Sequence, residues 1–265
     1  MDELAAFNRS RWNALAKARI QYSRPHLDMN EKGAQEYLNK NLGFSHEPMP
    51  EIAGKDVFCL ASGGGQQTAV FGILGANVTV LDLSDTQLER DREAATHHGY
   101  DLTAVHGDMR DLSSFADNNF DIVFHAYSIN FVPDAAMVIK QVGRIVRPGG
   151  IYRLTFSNPF WTMEETDWTE KGYPLRQPYI TGQQLQETDT EWTFEDDHGN
   201  PQKVAGPHEF MHTFSAIFNG LIAANFRITG FREWPEGDGN ADPGTWEHLL
   251  SVLPPFMSVT AVSIK

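Results

Sequence analysis

The chain has 265 residues, of which 41% are hydrophobic, enough for one large domain or for one domain with an added lid. Its 35 acidic residues against 21 Lys and Arg give a formal net charge of -14. A surface of this charge repels nucleic-acid backbones and anionic lipids, so no nucleic-acid or membrane partner is expected. The single cysteine, Cys59, excludes an internal disulfide, and no apolar segment has the length of a signal peptide core or a membrane anchor, which indicates a cytoplasmic protein.

Helical spacing of apolar residues predicts a helix at residues 3–18 and another at about 30–42. A regular alternation follows, with strands predicted at 57–61, 78–82, 102–106, 122–126 and 151–156 and helices at 66–75, 84–98 and 134–147. Ser84 is expected to cap the second of these helices, and Pro148-Gly149-Gly150 to stop the third. Strands that alternate with helices predict an α/β fold, in which a parallel sheet has helices on both faces.

The alternation of predicted strands and helices stops between residues 157 and 210, where Trp, Tyr, Pro and polar residues are frequent. Trp192-Thr-Phe-Glu and the turn-like Asp197-His-Gly-Asn-Pro201 predict a hairpin in this stretch. A helix near 213–225 and strands near 226–234 and 256–264 complete the chain. We therefore expect an N-terminal helical cap at 1–45, a core formed by 46–158 and 211–265, and a lid insertion at 159–210.

Three consecutive glycines, Gly63, Gly64 and Gly65, follow the first predicted strand of the alternation. Glycine reaches positive φ at low cost, and without a Cβ it lets a ligand lie against the backbone near the free N–H groups of the next helix. Asp82 ends the second strand, 17 residues after the last glycine, where a ribose hydroxyl would need an acceptor. The pattern indicates a βαβ unit that binds a nucleoside cofactor.

Further short motifs follow this unit in a fixed order along the chain. The segments are Leu60-Ala-Ser-Gly-Gly-Gly65, Val80-Leu-Asp-Leu-Ser84, His106-Gly-Asp-Met109, and the pair Phe120-Asp-Ile-Val-Phe-His-Ala126 and Arg144-Ile-Val-Arg-Pro-Gly-Gly150. Together they resemble class I methyltransferases that use S-adenosylmethionine, in particular the small-molecule group related to ubiquinone/menaquinone methyltransferases. The resemblance implies a Rossmann-like, mostly parallel sheet of seven strands with the last strand antiparallel. It also implies direct in-line transfer of a methyl group from S-adenosyl-L-methionine to a small-molecule acceptor.

The same resemblance assigns a cofactor site. Asp82 would accept the ribose hydroxyls, and Asp108 would accept from the adenine amino group with Met109 against the ring. The other residues implied for this site are Ala61, Ser62, Gly63, Gly65, Gln66, Gln67, Leu83, Gln87, Ala126 and Tyr127. The chain departs from the family pattern at two positions, because Cys59 stands where an acid is usual and Ala61 where the first glycine is usual.

Catalysis of methyl transfer relies on proximity and alignment, and a base is needed only when the acceptor must lose a proton. The candidate catalytic residues are His212 and Tyr22, with Asn130 as an orienting amide. His125, His208 and Tyr127 are further candidates for the base. His212 is equally compatible with a structural role, as a hydrogen-bonded histidine that supports the lid. No metal site is predicted, because the neighbours His97 and His98 would not face one site on a helix.

Two other functions remain compatible with the βαβ unit. A nicotinamide-dependent dehydrogenase shares the glycine turn and the acid, but it does not account for the Gly-Asp-Met and Pro-Gly-Gly motifs. A non-catalytic protein that binds S-adenosylmethionine or S-adenosylhomocysteine would fit the altered glycine loop. The aromatic residues of the insertion are open to two interpretations as well, because they could line a substrate pocket or form a small core of their own.

Overall fold

A computed structural model describes residues 1–42, 50–162, 167–185, 191–195, 199–234 and 237–265. The predicted boundary between residues 45 and 46 and the turn residues Asp197 and His198 lie outside these ranges. The helices are α1 (Glu3–Lys17), α2 (Glu31–Leu42), α3 (Gln67–Ile73), α4 (Asp85–His98), α5 (Ala135–Ile145), α6 (Phe214–Ala223) and α7 (Trp246–Val252). The strands are β1 (Asp56–Leu60), β2 (Asn77–Asp82), β3 (Leu102–His106), β4 (Phe120–His125), β5 (Val146–Ser157), β6 (Glu191–Glu195), β7 (Pro201–Ala205), β8 (Phe226–Glu233) and β9 (Phe256–Ser263).

One sheet organises the molecule, with the strand order β3-β2-β1-β4-β5-β9-β8. The five strands from β3 to β5 are parallel, and β9 runs antiparallel to both β5 and β8. This topology confirms the predicted seven-stranded, mostly parallel fold with an antiparallel last strand. Strands β6 and β7 form a separate antiparallel hairpin, as predicted for the insertion.

The core has two layers because side chains alternate between the faces of each strand. On one face, Phe58 and Leu60 of β1 pack with Val138 of α5 and Ile217 of α6. On the other face, Val57, Cys59 and Phe71 belong to a second cluster that also contains Leu38 and Phe124. Cys59 is fully buried in this cluster. The parallel strands are thus covered on both sides, which directs their carboxyl ends to a common edge.

Two elements differ from the sequence predictions. Helix α5 ends at Ile145, so the prediction that it extends to residue 147 and stops at Pro148 is wrong. The Pro-Gly-Gly turn lies inside β5, where Gly149 has a φ of 75° and the pairing with β4 shifts register. Helix α7 was not predicted, because its seven residues are too short to show a helical period.

Ser84 caps α4 as predicted, since its side chain accepts a hydrogen bond from the Gln87 backbone N–H at 3.1 Å. Within the ranges that the structure describes, no helix combines the length and the apolar character needed to cross a membrane.

Candidate active site

A cavity of about 840 Å³ opens at the carboxyl ends of β1, β2 and β4. This is the edge at which open α/β sheets bind ligands. Most of the residues predicted for the cofactor site line it: Ala61, Ser62, Gly63, Gln66, Gln67, Asp82, Leu83, Gln87, Asp108, Met109, Ala126 and Tyr127. Tyr22 also lines the cavity and is exposed to solvent. The structure therefore brings residues from distant parts of the chain to one place.

The glycine loop approaches Asp82 closely. The Gly63 N–H donates a hydrogen bond to Asp82 Oδ2 at 2.9 Å. A Cβ on Gly63 would lie 2.8 Å from the same oxygen, so only glycine fits at this position. Ala61 precedes this contact with a φ of 44°, in the left-handed region that L-residues rarely occupy.

A buried carboxylate that sequence reasoning missed, Asp91 of α4, holds the rest of the loop. Its two oxygens accept hydrogen bonds from the N–H groups of Gly64 at 3.2 Å and Gly65 at 2.9 Å, and from Thr68 Oγ1 at 2.7 Å. Gly65 packs against the backbone of Arg90 and is not part of the cavity wall. Burial raises the pKa of Asp91 to about 7. Asp91 thus fixes the turn without reaching the ligand space.

Asp82 is nearly buried, with 9% of its surface exposed. Besides the Gly63 contact, its Oδ1 accepts a hydrogen bond from the Ser84 N–H at 2.8 Å. Burial raises the pKa of Asp82 to about 6, although these hydrogen bonds act in the opposite direction. Each carboxylate oxygen keeps a second lone pair, so Asp82 is still able to accept hydroxyl groups from a ligand in the cavity.

Asp108 lines the cavity but is already paired. Arg110 Nε and Nη2 donate to its Oδ2 at 2.9 and 2.6 Å, and the Arg110 guanidinium also donates to Asp2, the N-cap of α1, at 2.8 Å. Arg110 was not singled out in the sequence, although it directly follows Asp108 and Met109. This arginine joins the start of α1 to the predicted adenine side of the cavity.

A tyrosine and a glutamate face each other elsewhere on the cavity wall. The Tyr127 hydroxyl donates to Glu209 Oε2 at 3.3 Å. Burial raises the pKa of Glu209 to about 7 and also raises the pKa of Tyr127. A carboxyl group that titrates near neutral pH has the properties of a general base. In the sequence, the only feature that draws attention to Glu209 is its position three residues before His212.

The structure places the other predicted catalytic residues away from the cavity wall. His212 is almost completely buried, its Nε2 lies 3.1 Å from the Ile129 carbonyl oxygen, and burial lowers its pKa. Asn130 is also buried, where its amide donates to the Phe210 carbonyl at 3.2 Å and accepts from the Ser157 N–H at 3.0 Å. Both side chains connect the segment before α6 to the core.

Two further histidines named in the sequence analysis have structural surroundings. His125 Nδ1 lies 2.9 Å from the Tyr152 hydroxyl, and burial lowers the pKa of His125 to about 3. The His208 ring stacks on Phe7 with centroids 3.9 Å apart. Among the described residues, no group of three or more His, Cys, Asp or Glu side chains has a geometry that could hold a metal ion.

The aromatic residues of the insertion divide between the two interpretations given above. Trp161 and Trp192 line the cavity, and Trp192 contacts Trp12 of α1 edge to face at a centroid distance of 5.7 Å. By contrast, Phe160 stacks on Tyr179 at 5.3 Å, and Trp168 packs on Tyr173 at 5.1 Å. One part of the insertion thus meets α1 at the cavity, and another part packs on its own aromatic residues and on Phe214 of α6 and His248 of α7.

Comparison with known proteins agrees with this geometry. Residues 58–154 match the family described as "Methyltransferase domain". An uncharacterized methyltransferase of Bacillus subtilis (strain 168), YbaJ, is 35% identical over 187 residues, which cover 69% of this chain and 70% of that protein. The chain belongs to the methyltransferase family. This finding confirms the family and the enzyme class predicted from the motifs and argues against the dehydrogenase alternative.

This methyltransferase is also similar to a demethylmenaquinone methyltransferase of Staphylococcus haemolyticus (strain JCSC1435), with 39% identity over 74 residues, 28% of this chain and 30% of that protein. The crystal structure of an S-adenosylmethionine dependent methyltransferase from Mesorhizobium loti superposes with a TM-score of 0.57. The match covers 89% of this chain and 99% of that chain at 21% sequence identity. The methyltransferase therefore has the fold of enzymes that use S-adenosylmethionine.

Proposed function

We propose that this methyltransferase transfers a methyl group from S-adenosylmethionine to a small-molecule acceptor by direct in-line displacement. The observation that carries the proposal is one continuous cavity, which joins the glycine loop and Asp82 to the Glu209–Tyr127 pair. Such a cavity holds donor and acceptor side by side, and alignment of two reactants supplies a large part of the catalysis in this kind of reaction.

The residues at the glycine loop fit S-adenosylmethionine. Gly63 leaves the space that a side chain would fill, and Asp82 lies beside it as a hydroxyl acceptor. Gln87 and Ser128 also line the cavity, so polar side chains are present on its wall. Bound S-adenosylmethionine supplies a sulfonium methyl group whose leaving group is a neutral thioether.

Glu209 has the role of a proton acceptor in this proposal. When Glu209 is ionised, its carboxylate takes the proton that the nucleophilic atom of the acceptor loses, and Tyr127 holds the carboxylate in place. Trp12 and Trp192, which contact each other on the cavity wall, help to exclude water from the reacting atoms. We infer that the segment 1–45 acts as a cap and the insertion 159–210 as a lid, as the sequence predicts.

The volume of the cavity and the net charge of the protein both favour a small acceptor. A volume of about 840 Å³ that is shared with the donor leaves room for a metabolite. The net charge of -14 opposes a nucleic-acid acceptor, whose backbone carries one charge per nucleotide. The relative from Staphylococcus haemolyticus is called a demethylmenaquinone methyltransferase, but the similarity covers only 30% of that protein. Its name therefore does not identify the acceptor of this enzyme.

The test uses S-adenosylmethionine with an isotope-labelled methyl group. The purified methyltransferase is titrated with the labelled donor in a calorimeter and then incubated with a bacterial cell extract that is separated into low-mass and macromolecular fractions. We expect binding of the donor and label in the low-mass fraction. Label confined to nucleic acid or protein would contradict the acceptor class. Binding without transfer would support the non-catalytic alternative, and absence of binding would contradict the donor.

A further inference from the structure

Arg153 is a buried cation on the wall of the cavity. It lies on β5 and only 4% of its surface is exposed. Side chains alternate along this strand, so Tyr152 and Leu154 face the apolar core while Arg153 and Thr155 face the cavity. The guanidinium stacks on the Phe124 ring at 4.8 Å from its centroid. Aromatic packing on one face leaves the edge of the guanidinium for hydrogen bonds.

The hydrogen-bond partners of Arg153 are all neutral. Its Nε donates to the Asn41 carbonyl at 3.4 Å, its Nη2 to Asn41 Oδ1 at 3.1 Å, and its Nη1 to Thr155 Oγ1. In the part of the chain that the structure describes, no carboxylate forms an ion pair with it. Burial lowers the pKa of Arg153 to about 10, so the group still carries its charge at neutral pH. Buried charges are normally paired, because an uncompensated one is costly.

The register of the sheet shows which side chains share a row with Arg153. Cys59 of β1 pairs with Phe124 of β4, and Phe124 pairs with Arg153 of β5, so the three residues form one row. Neighbouring strands lie about 4.8 Å apart, so an acid at the first position of this row would be near enough to influence the arginine. The chain has a cysteine there. The row therefore contains one positive charge and no negative charge.

Other cations surround the same end of the cavity. Lys40 lines the cavity, and its ammonium lies 5.8 Å from the centroid of the Trp234 ring. Arg232 lies over the same ring at 4.0 Å and donates to the Lys40 carbonyl at 2.9 Å. The carboxylates of the cavity, Asp82, Asp108 and Glu209, belong to the cofactor loop region and the Tyr127 pair. A cationic end in a protein of charge -14 is suited to an anionic ligand group.

We propose that Arg153 binds a carboxylate group of a ligand in the cavity. A planar guanidinium with free N–H donors matches a carboxylate, with which it forms paired hydrogen bonds. Two molecules contain such a group under the proposed function, on which this inference rests: the methyl acceptor and the amino-acid end of the donor. The position of Arg153, two strands away from the glycine loop, favours the acceptor. The methyl acceptor is then an organic acid.

The first arm of the test asks whether the donor supplies the carboxylate. Calorimetric titrations compare S-adenosylhomocysteine with 5′-methylthioadenosine, which lacks the amino-acid end, on the wild type and on Arg153→Gln. We expect the dissociation constants of the wild type and of Arg153→Gln to agree within about twofold for each nucleoside. Loss of S-adenosylhomocysteine affinity alone, tenfold or more, would assign the carboxylate to the donor. Failure of the wild type to bind either nucleoside would contradict the proposed function, and the second arm does not depend on that result.

The second arm uses matched acid and amide probes, 4-hydroxybenzoate with 4-hydroxybenzamide and indole-3-acetate with indole-3-acetamide, with and without S-adenosylhomocysteine. We expect the wild type to bind at least one acid tenfold more tightly than its amide, Arg153→Gln to lose this preference, and Arg153→Lys to keep part of it. Arg92→Gln is the matched control, since it removes an exposed charge of α4 that does not line the cavity. Circular dichroism verifies the fold of each variant. The proposal is overturned if Arg153→Gln and Arg153→Lys both leave the acid preference and the S-adenosylhomocysteine affinity unchanged. It is also overturned if the wild type shows no acid preference and no S-adenosylhomocysteine binding.

Discussion

Ala61 has a φ of 44° at the start of the glycine loop. Its N–H donates to the Leu81 carbonyl at 2.7 Å, so the loop cannot relax without the loss of this bond. A left-handed conformation costs an L-residue about 1–2 kcal/mol. The chain thus stores strain at the residue that begins its ligand site.

We expect Ala61→Gly to stabilise the protein by about 0.5–1 kcal/mol, because relief of the strain exceeds the about 0.4–1 kcal/mol of extra unfolded-state entropy that glycine brings. Urea unfolding of the two proteins measures the difference. The matched control is Ala94→Gly, a buried position inside α4, which should destabilise by about 1 kcal/mol or more. Equal destabilisation by both changes would show that Ala61 is not strained.

The second prediction concerns Asp82, whose pKa is raised to about 6 in the protein without ligand. A carboxylate that accepts ribose hydroxyls must be ionised, so its contribution to binding is present above pH 6 and decreases as the pH falls below 6. We expect S-adenosylhomocysteine affinity to fall up to about tenfold between pH 6 and pH 5. Calorimetry on Asp82→Asn should give weak binding without this pH step. An unchanged affinity in that variant would contradict the ribose assignment.

The third prediction concerns Glu209, whose pKa is raised to about 7. A general base works only when ionised, so the rate of methyl transfer should rise with pH up to about 7 and then level off. Glu209→Gln should lower the rate about 100-fold to 10000-fold and remove the pH dependence. The assay follows label in the low-mass fraction, and S-adenosylhomocysteine affinity serves as the control. A full rate in Glu209→Gln would mean that the acceptor needs no base from this residue.

At the scale of elements, α1 is attached to the rest of the molecule by polar contacts as well as by buried apolar residues such as Leu15. Asn8 is buried in it, and its amide donates to the carbonyls of Phe131 at 3.1 Å and His208 at 3.3 Å, while its oxygen accepts from the His208 N–H at 2.8 Å. One side chain therefore ties the cap to the core and to the segment that carries Glu209. Arg110 adds a second tie at Asp2.

We expect Asn8→Ala to destabilise the protein by about 1–3 kcal/mol, because three backbone groups, the carbonyls of Phe131 and His208 and the His208 N–H, lose their partner. Hydrogen exchange should increase in α1 and in β7 before it increases in the central strands. Asn39→Ala, an exposed change on α2, is the control and should shift stability by less than about 0.5 kcal/mol. Uniform exchange throughout the chain would argue against a separately opening cap.

The elements themselves were largely predictable, because hydrophobic period and turn residues are local signals. These signals predict the strands β1 to β4 and the hairpin β6–β7 closely. They do not predict the end of α5, because a proline and two glycines are tolerated inside β5. The roles of Asp91, Glu209 and Arg153 were not predictable. Their pKa values and partners depend on burial and on strands far apart in the chain, which a single sequence does not contain.

At the scale of the whole molecule, the charge of -14 makes the folded state repel itself. Salt shortens the Debye length from about 30 Å at 0.01 M to about 8 Å at 0.15 M and so reduces this repulsion. We expect the melting temperature to rise over that interval by a few degrees, as measured by differential scanning calorimetry. The rise should shrink near pH 5, where the net charge is lower. A melting temperature that falls with salt would mean that ion pairs such as Arg147 with Asp56 and Asp121 outweigh the repulsion.

Five of the six tryptophans, Trp12, Trp161, Trp192, Trp234 and Trp246, line the cavity, and they come from five different segments of the chain. Indole emission responds to the polarity around the ring, and five of the six indoles lie on the cavity wall. Occupancy of the cavity is therefore directly visible in the emission spectrum, without a label. Because the indoles belong to the cap, the insertion and the core, the intensity also reports how these parts come together over a bound molecule.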